Sequence, residues 1–277
     1  MLPSLHPDPA HSGRNPGYAP EFVARVLDDA RAHDARVYAI AGLQGTGKST
    51  LSGQMVELGR QRGLHVVALS IDDFYLGHTE REALGRRIHP LCATRGPPGT
   101  HEVSLACDVL DALRARQPTA LPRFDKIADD RLPRTDWPVA RGTDLTILEG
   151  WFLEVPAETL DALAAPLNAL ERDEDPDGTW RRWVNRSLGD DYTGLWERLD
   201  RMLFLQGPGF DIVPTWRWQQ EQSLQAANPG RQAMTQPQVE RFVQFFERVS
   251  RQAMRTLPGI ADHTLRLDAQ RRVLDAW

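Results

Sequence analysis

Residues Gly42-Leu43-Gln44-Gly45-Thr46-Gly47-Lys48-Ser49 have the spacing G-x-x-x-x-G-K-[ST], and Thr50 follows. That spacing suits a phosphate. Its oxygens need several donors converging on one point, which glycines at 42, 45 and 47 allow by letting the backbone curl with its N–H groups inward. Lys48 then reaches the β- and γ-phosphates, and Ser49 Oγ ligates Mg²⁺. A glycine-rich turn with a coincidental lysine would need no particular neighbours. Here the apolar run Val37-Tyr38-Ala39-Ile40-Ala41 precedes the loop as a strand, and Ser49 to Leu58 continues as a helix whose N-terminus adds positive charge at the same point.

Two more chemical groups follow apolar runs. Asp72-Asp73-Phe74-Tyr75 comes after Val66–Ile71, and Glu149-Gly150-Trp151 after Leu145–Leu148. In a doubly wound sheet, ligands bind beyond the carboxyl ends of the strands, so these acids are expected beside the phosphate loop. Phosphoryl transfer to a hydroxyl needs a carboxylate near the γ-phosphate, and Mg²⁺ needs an acidic partner. Asp72 suits the first role and Glu149 the second, with Asp73 able to exchange with either. The plainer reading of the Asp pair is a helix cap.

These groups require a scaffold. The runs at 37–41, 66–71, 145–148 and 202–205 are largely apolar, with a weaker one at 264–267, and helical stretches separate them. That pattern predicts an α/β fold with a doubly wound, mostly parallel sheet and helices on both faces, the phosphate-loop NTPase architecture. Phe22, Val23, Val26, Leu27 and Ala30 form one helical face, and Val239, Phe242, Val243, Phe246 and Val249 another. The proline-rich residues 1–20 read as an extended arm and 21–277 as one domain. Two excursions interrupt it: 77–142, read as a substrate-site insertion, and 156–200, read as a surface insertion.

The 277 residues carry a formal net charge of -5, 41% hydrophobic and 26% charged content. An acidic whole argues against a nucleic-acid partner, and no run of apolar residues is long enough for a membrane span. The opening residues lack a basic, then apolar, leader pattern, so a cytoplasmic protein is expected. Cys92 and Cys107 have no C-x-x-C spacing and are expected to be reduced thiols without a metal.

Five strings in order, Ser70–Leu76, Arg95–Glu102, Pro122–Lys126, Leu148–Trp151 and Trp216–Glu221, resemble the plant-type D-glycerate 3-kinase family. That family lies within the uridine kinase, phosphoribulokinase and pantothenate kinase group. The resemblance spans Val37 to Asp268. It implies a small-molecule kinase using ATP and Mg²⁺, with Asp72, the first Asp of a D-x-F-Y pattern, as catalytic base. The chain departs from the family's pattern at Glu102, where R-G-x-x-G-[ST]-H-D ends in Asp, and at Phe124-Asp125, where plant-type members resemble Tyr-Asn.

D-glycerate is a small anion, so its site should offer a guanidinium fork or a lysine for the carboxylate and polar groups for the hydroxyls. Arg95, His101, Arg123 and Lys126 supply that inventory, and with Asp73 and Tyr75 they are the candidate acceptor-binding residues. As surface charges or loop hydrogen bonds they would need no ligand. A nucleoside would favour an aromatic slot, for which Phe74, Tyr75 and Phe124 are present. Related kinases carry a mobile lid where this chain has residues 207–232, and a cation there can neutralise the transferring phosphoryl group. Arg217 is the first candidate and Arg231 the second, while Trp216 and Trp218 read as packing residues. The best-supported expectation is therefore ATP-dependent phosphorylation of a small hydroxy acid. The alternatives are a kinase for a nucleoside, pantothenate or another polyol, and, more distantly, a nucleotide-driven switch or ATPase acting on a protein partner.

Overall fold

The computed structural model describes residues 17–227, 230 and 233–274. The arm expected over 1–20 therefore lies mostly outside the described residues, as does Arg231. Strands β1 (Val37–Gly42) and β2 (Val66–Ser70) form as expected. Two short antiparallel ladders follow, made by β3 (Thr119–Ala120) with β6 (Val139–Ala140) and by β4 (Phe124–Asp125) with β5 (Asp130–Arg131). Strands β7 (Leu145–Gly150), β8 (Arg201–Gln206) and β9 (His263–Arg266) complete the main sheet. Its order is β2-β7-β1-β8-β9, with every pairing parallel.

Both faces of this sheet are covered, which is why its central strands β1 and β7 are buried at every position. Side chains alternate between the faces with period 2. Val37, Ala39 and Ala41 enter one core with Leu148, Met202 and Phe204, and Tyr38 and Ile40 enter the other with Ile147, Leu203 and Leu205. Helices α1 (Pro20–Ala32) and α2 (Lys48–Gln61) close the second face, burying Val23, Val26, Leu27, Leu51 and Met55. The 77–142 excursion carries α3 (His78–Arg87) and α4 (Val103–Arg114), and α4 buries Ala106, Val109, Leu110 and Leu113 on the first face.

The 156–200 stretch does not lie on the surface as expected. It folds into α5 (Ala169–Glu174), α6 (Thr179–Asp190) and α7 (Thr193–Trp196). From them and their connections, Leu170, Trp180, Val184, Leu188, Tyr192 and Leu195 join the larger core. Its acidic tract, Glu171 to Asp175, exposes Asp173 and Glu174 but buries Glu171 and Asp175, and Asp175 accepts from the N–H groups of Trp180 (2.7 Å) and Arg181 (3.1 Å). The buried Arg181 guanidinium pairs with the same carboxylate at 3.0 Å. Helices α8 (Val213–Ala227) and α9 (Gln236–Thr256) follow, and α9 buries Val239, Val243, Phe246 and Val249 with Phe242 half-buried, the expected stripe. No described helix is long and apolar enough to cross a membrane.

Candidate active site

The sheet order makes neighbours of three strand ends. In register, Ile40 of β1 and Ser70 of β2 both lie opposite Glu149 of β7. The phosphate loop leaves β1 at Gly42, two residues further on. Gly45 and Gly47 have φ of +86° and +90°, and a Cβ on Gly45 would stand 2.6 Å from the Trp216 Cβ. No side chain fits at that point, and Trp216 is the packing residue its pattern suggested. The rest of the loop is pinned from several sides. Leu43 is fully buried against Phe210, Val213, Val239 and Val243, and Thr46 Oγ1 donates to Leu43 O at 2.9 Å. The Tyr18 hydroxyl donates to Thr46 O at 2.7 Å, and Arg271 Nε to Gly45 O at 2.6 Å. Gln44 is half-buried beside Leu43, and Thr50 lies in the first turn of α2.

Lys48 Nζ donates to Gly42 O (2.7 Å) and Leu43 O (3.0 Å). Burial pushes its pKa down, while the charges of Glu149 and Asp72 oppose that shift. Ser49 Oγ donates to Glu149 Oε1 at 2.7 Å, joining the first helical turn to the buried end of β7. These two hard oxygen donors suit Mg²⁺, which keeps several waters and takes few protein ligands.

The adjacent acids after β2 have different surroundings. Ser70 N donates to Asp73 Oδ2 at 2.9 Å, and Asp72 N to Ser70 Oγ at 3.3 Å, a reciprocal cap on the short helical turn Ile71–Phe74. Asp73, expected among the acceptor-binding groups, is thus the capping acid, with Arg123 Nη1 at 3.3 Å from the same oxygen and Arg123 also on Pro122 O. Burial holds its pKa up at about 6 against the opposing charge of Arg123. Asp72 instead accepts from the Tyr75 hydroxyl and from Lys126 Nζ, each at 2.8 Å. Burial would raise its pKa, but the Lys126 charge and these hydrogen bonds hold it at about 2.

The 77–142 excursion brings the remaining groups. Lys126, with a side chain 61% exposed, sits at the tip of the β4–β5 hairpin. That hairpin is braced by three arginines. Arg81, almost wholly buried, donates to Leu76 O, Ala93 O and Asp129 O and pairs with the Asp129 carboxylate. Arg131 bonds Tyr75 O at 2.7 Å and pairs with Glu102. Arg95, expected to grip an acceptor carboxylate, pairs with Asp129, donates to Lys126 O at 3.2 Å and lies over the Phe124 ring. The cation beside Asp72 in this structure is Lys126 and not Arg95.

Backbone bonds from Leu76 N to Thr100 O and from Glu102 N to Phe74 O set His101 against Tyr75, with ring centroids 4.6 Å apart. His101 is buried, and its Nδ1 lies 2.6 Å from the Tyr192 hydroxyl. Burial lowers its pKa to about 3. Arg217, the candidate lid cation, pairs with the buried Glu221 at 2.9 Å and lies over Phe242, within the packing of α8 on α9. The structure thus gathers Lys48, Ser49, Glu149, Asp72, Tyr75 and Lys126 at the strand ends, and seats Arg217 between its two helices. Arg81, Asp129, Arg131 and Tyr192 escape a reading of the sequence. Each is a single polar residue whose partner is far along the chain, and local patterning marks none of them.

No family model matches the chain. It is 33% identical over 201 residues to the uncharacterised kinase mug58 of Schizosaccharomyces pombe, covering 69% of this chain and 71% of that one. It is 27% identical over 222 residues to the chloroplastic D-glycerate 3-kinase of Arabidopsis thaliana, covering 75% of this chain but 45% of that relative's length. Among solved structures, a D-glycerate 3-kinase from Cryptococcus neoformans var. grubii superposes with a TM-score of 0.72 at 25% identity, covering 92% of this chain and 96% of that one. With the phosphate loop, the acids at neighbouring strand ends and these relatives together, the chain belongs to the plant-type D-glycerate 3-kinase family of phosphate-loop kinases, phosphotransferases with a hydroxyl acceptor.

Proposed function

We propose that this kinase transfers the γ-phosphoryl group of ATP to a hydroxyl of D-glycerate or a similar small hydroxy acid, with Mg²⁺. One observation carries the reading: the Asp72 carboxylate and the exposed Lys126 ammonium meet at 2.8 Å at the end of β2, on the same edge of the sheet as the phosphate loop. The carboxylate orients the attacking hydroxyl and receives its proton, and the ammonium suits the acceptor's own negative charge. Lys48 leaves the loop carbonyls for the β- and γ-phosphate oxygens. Ser49 Oγ and Glu149 would hold Mg²⁺, which when bound neutralises charge on those oxygens. Arg217 would serve as the lid cation only after leaving Glu221. Two relatives named as D-glycerate 3-kinases favour the same acceptor.

The test is a coupled ADP-release assay over D-glycerate, other small hydroxy acids, nucleosides, pantothenate and water alone, with Lys48→Ala as the inactive control. D-glycerate is expected to give the highest kcat/KM. A wild-type enzyme that ignores small acids and phosphorylates an uncharged nucleoside would refute the acceptor assignment while keeping the kinase.

A further inference from the structure

His101 presents a buried polar atom that nothing in the fold uses. Its side chain is about 94% covered, its Nδ1 faces Tyr192, and its Nε2 is buried with no hydrogen-bond partner. Buried polar atoms are almost always paired, so an orphan beside a candidate active site calls for a cause. The proton on this ring can be located from its neighbours. Gly99 N, which can only donate, gives its hydrogen to the Tyr192 hydroxyl oxygen at 2.9 Å. Tyr192 is fully buried, so its own hydroxyl hydrogen also needs an acceptor. His101 Nδ1, at 2.6 Å, is that acceptor. Were Nδ1 the donor, the tyrosine hydrogen would be stranded. The ring hydrogen therefore sits on Nε2, and burial keeps the ring neutral, with this single N–H.

We propose that Tyr192 fixes His101 as an Nε2–H donor, and that this donor binds an oxygen of the small-acid acceptor other than the hydroxyl facing Asp72. The proposal rests on the acceptor lying at Asp72, as argued under Proposed function. The His101 ring stands 4.6 Å from the Tyr75 ring, and the Tyr75 hydroxyl bonds Asp72. The charge of Asp72 also reaches the imidazole. Nε2 is buried in this structure, so the proposal requires the neighbouring Tyr75 ring to shift and admit an acceptor oxygen. Tyr192 is a positioning residue here: it lies in the 156–200 stretch and acts through His101. A neutral N–H donor favours an oxygen and repels a ligand that presents a hydrogen-bond donor there, which selects among acceptors without adding charge.

Two measurements test this. The first is the ¹⁵N resonances of the His101 ring in the full-length protein near neutral pH. Wild type should show a protonated Nε2 and a bare Nδ1, Tyr192→Phe should lose that single tautomer, and D-glycerate added with a non-hydrolysable ATP analogue should move the Nε2–H signal. The second is steady-state kinetics. His101→Gln can keep an amide N–H near the Nε2 position, whereas His101→Asn keeps a partner for Tyr192 and lacks the far donor. Acceptor KM should stay within about threefold for Gln and rise about tenfold or more for Asn, with ATP KM unchanged in both. Thermal melts establish that both variants are folded. A protonated Nδ1 in wild type, equal KM for the two variants, or an Nε2–H signal unmoved by an acceptor that is turned over would each overturn the inference. If no small acid is turned over, the acceptor reading fails and this inference falls with it. The wild-type tautomer is measured either way.

Discussion

Asp72 and Asp73 are adjacent in the chain, yet the fold drives their acidities apart. Asp72, facing Lys126 and the Tyr75 hydroxyl, is held at about 2, and burial pushes Asp73 up to about 6 although the Ser70 N–H opposes the shift. Neighbouring carboxylates with different environments take different tasks. Asp72→Asn is expected to lower kcat by ~10²–10⁴-fold with little change in ATP KM, because a positioned base acts in the chemical step. Asp73→Asn removes a charged cap and is expected to cost roughly 0.5–2 kcal/mol of stability with a far smaller effect on kcat. Paired measurements of kcat and urea midpoint separate the two. A crippled but stable Asp73→Asn enzyme beside a nearly normal Asp72→Asn enzyme would reverse the assignment.

At the scale of elements, the β4–β5 hairpin is the part of the site least able to stand alone. Two-residue strands gain little by themselves. Its shape depends on Asp125 Oδ1, which accepts from Ile127 N (2.8 Å) and Ala128 N (3.0 Å), and on Asp129, which anchors both Arg81 and Arg95. The two departures from the family pattern are part of this brace: Glu102 pairs with Arg131, and Phe124 lies under Arg81 and Arg95. Asp129→Ala leaves the buried Arg81 short of its partner and is expected to destabilise by about 1–3 kcal/mol, discounted for the partial exposure of Asp129. It should also raise acceptor KM while sparing ATP KM, by loosening the element that carries Lys126. By the same logic Lys126→Met should raise acceptor KM more than Arg95→Lys does. The opposite ranking, in a stable Arg95→Lys protein, would return the carboxylate contact to Arg95.

Across the whole molecule, the 156–200 stretch couples the site to the core. Six of its buried side chains, Leu170, Trp180, Val184, Leu188, Tyr192 and Leu195, share one core with Phe152, Phe245 and Phe246. Burial of one such side chain is worth roughly 1.5–3 kcal/mol. Together they rival the ~5–15 kcal/mol net stability of an ordinary domain. Replacing residues 165–195 with a short flexible linker should therefore abolish cooperative unfolding, followed by near-ultraviolet circular dichroism against urea. A surface insertion would come away cleanly, and an unchanged midpoint would show it to be one.

The phosphate loop, the five main strands and the α9 stripe were legible in the sequence, because each is written in local spacing: glycines where the backbone turns, and apolar residues at the period of the element. Glu149 and Asp72 were legible because chemistry in this architecture gathers at strand ends. Strand order was not, since nothing local says that β7 lies between β1 and β2 and so sets Glu149 against Ser49. Nor were the different surroundings of Asp72 and Asp73, which turn on side-chain direction within one short turn. Arg95 reads as a substrate fork until Asp129, 34 positions on, takes its guanidinium, and His101 meets Tyr192 across 91 positions. Period and turn chemistry are properties of neighbouring residues. The partner of a buried charge or ring nitrogen is chosen by how distant elements dock, and only the tertiary structure decides that.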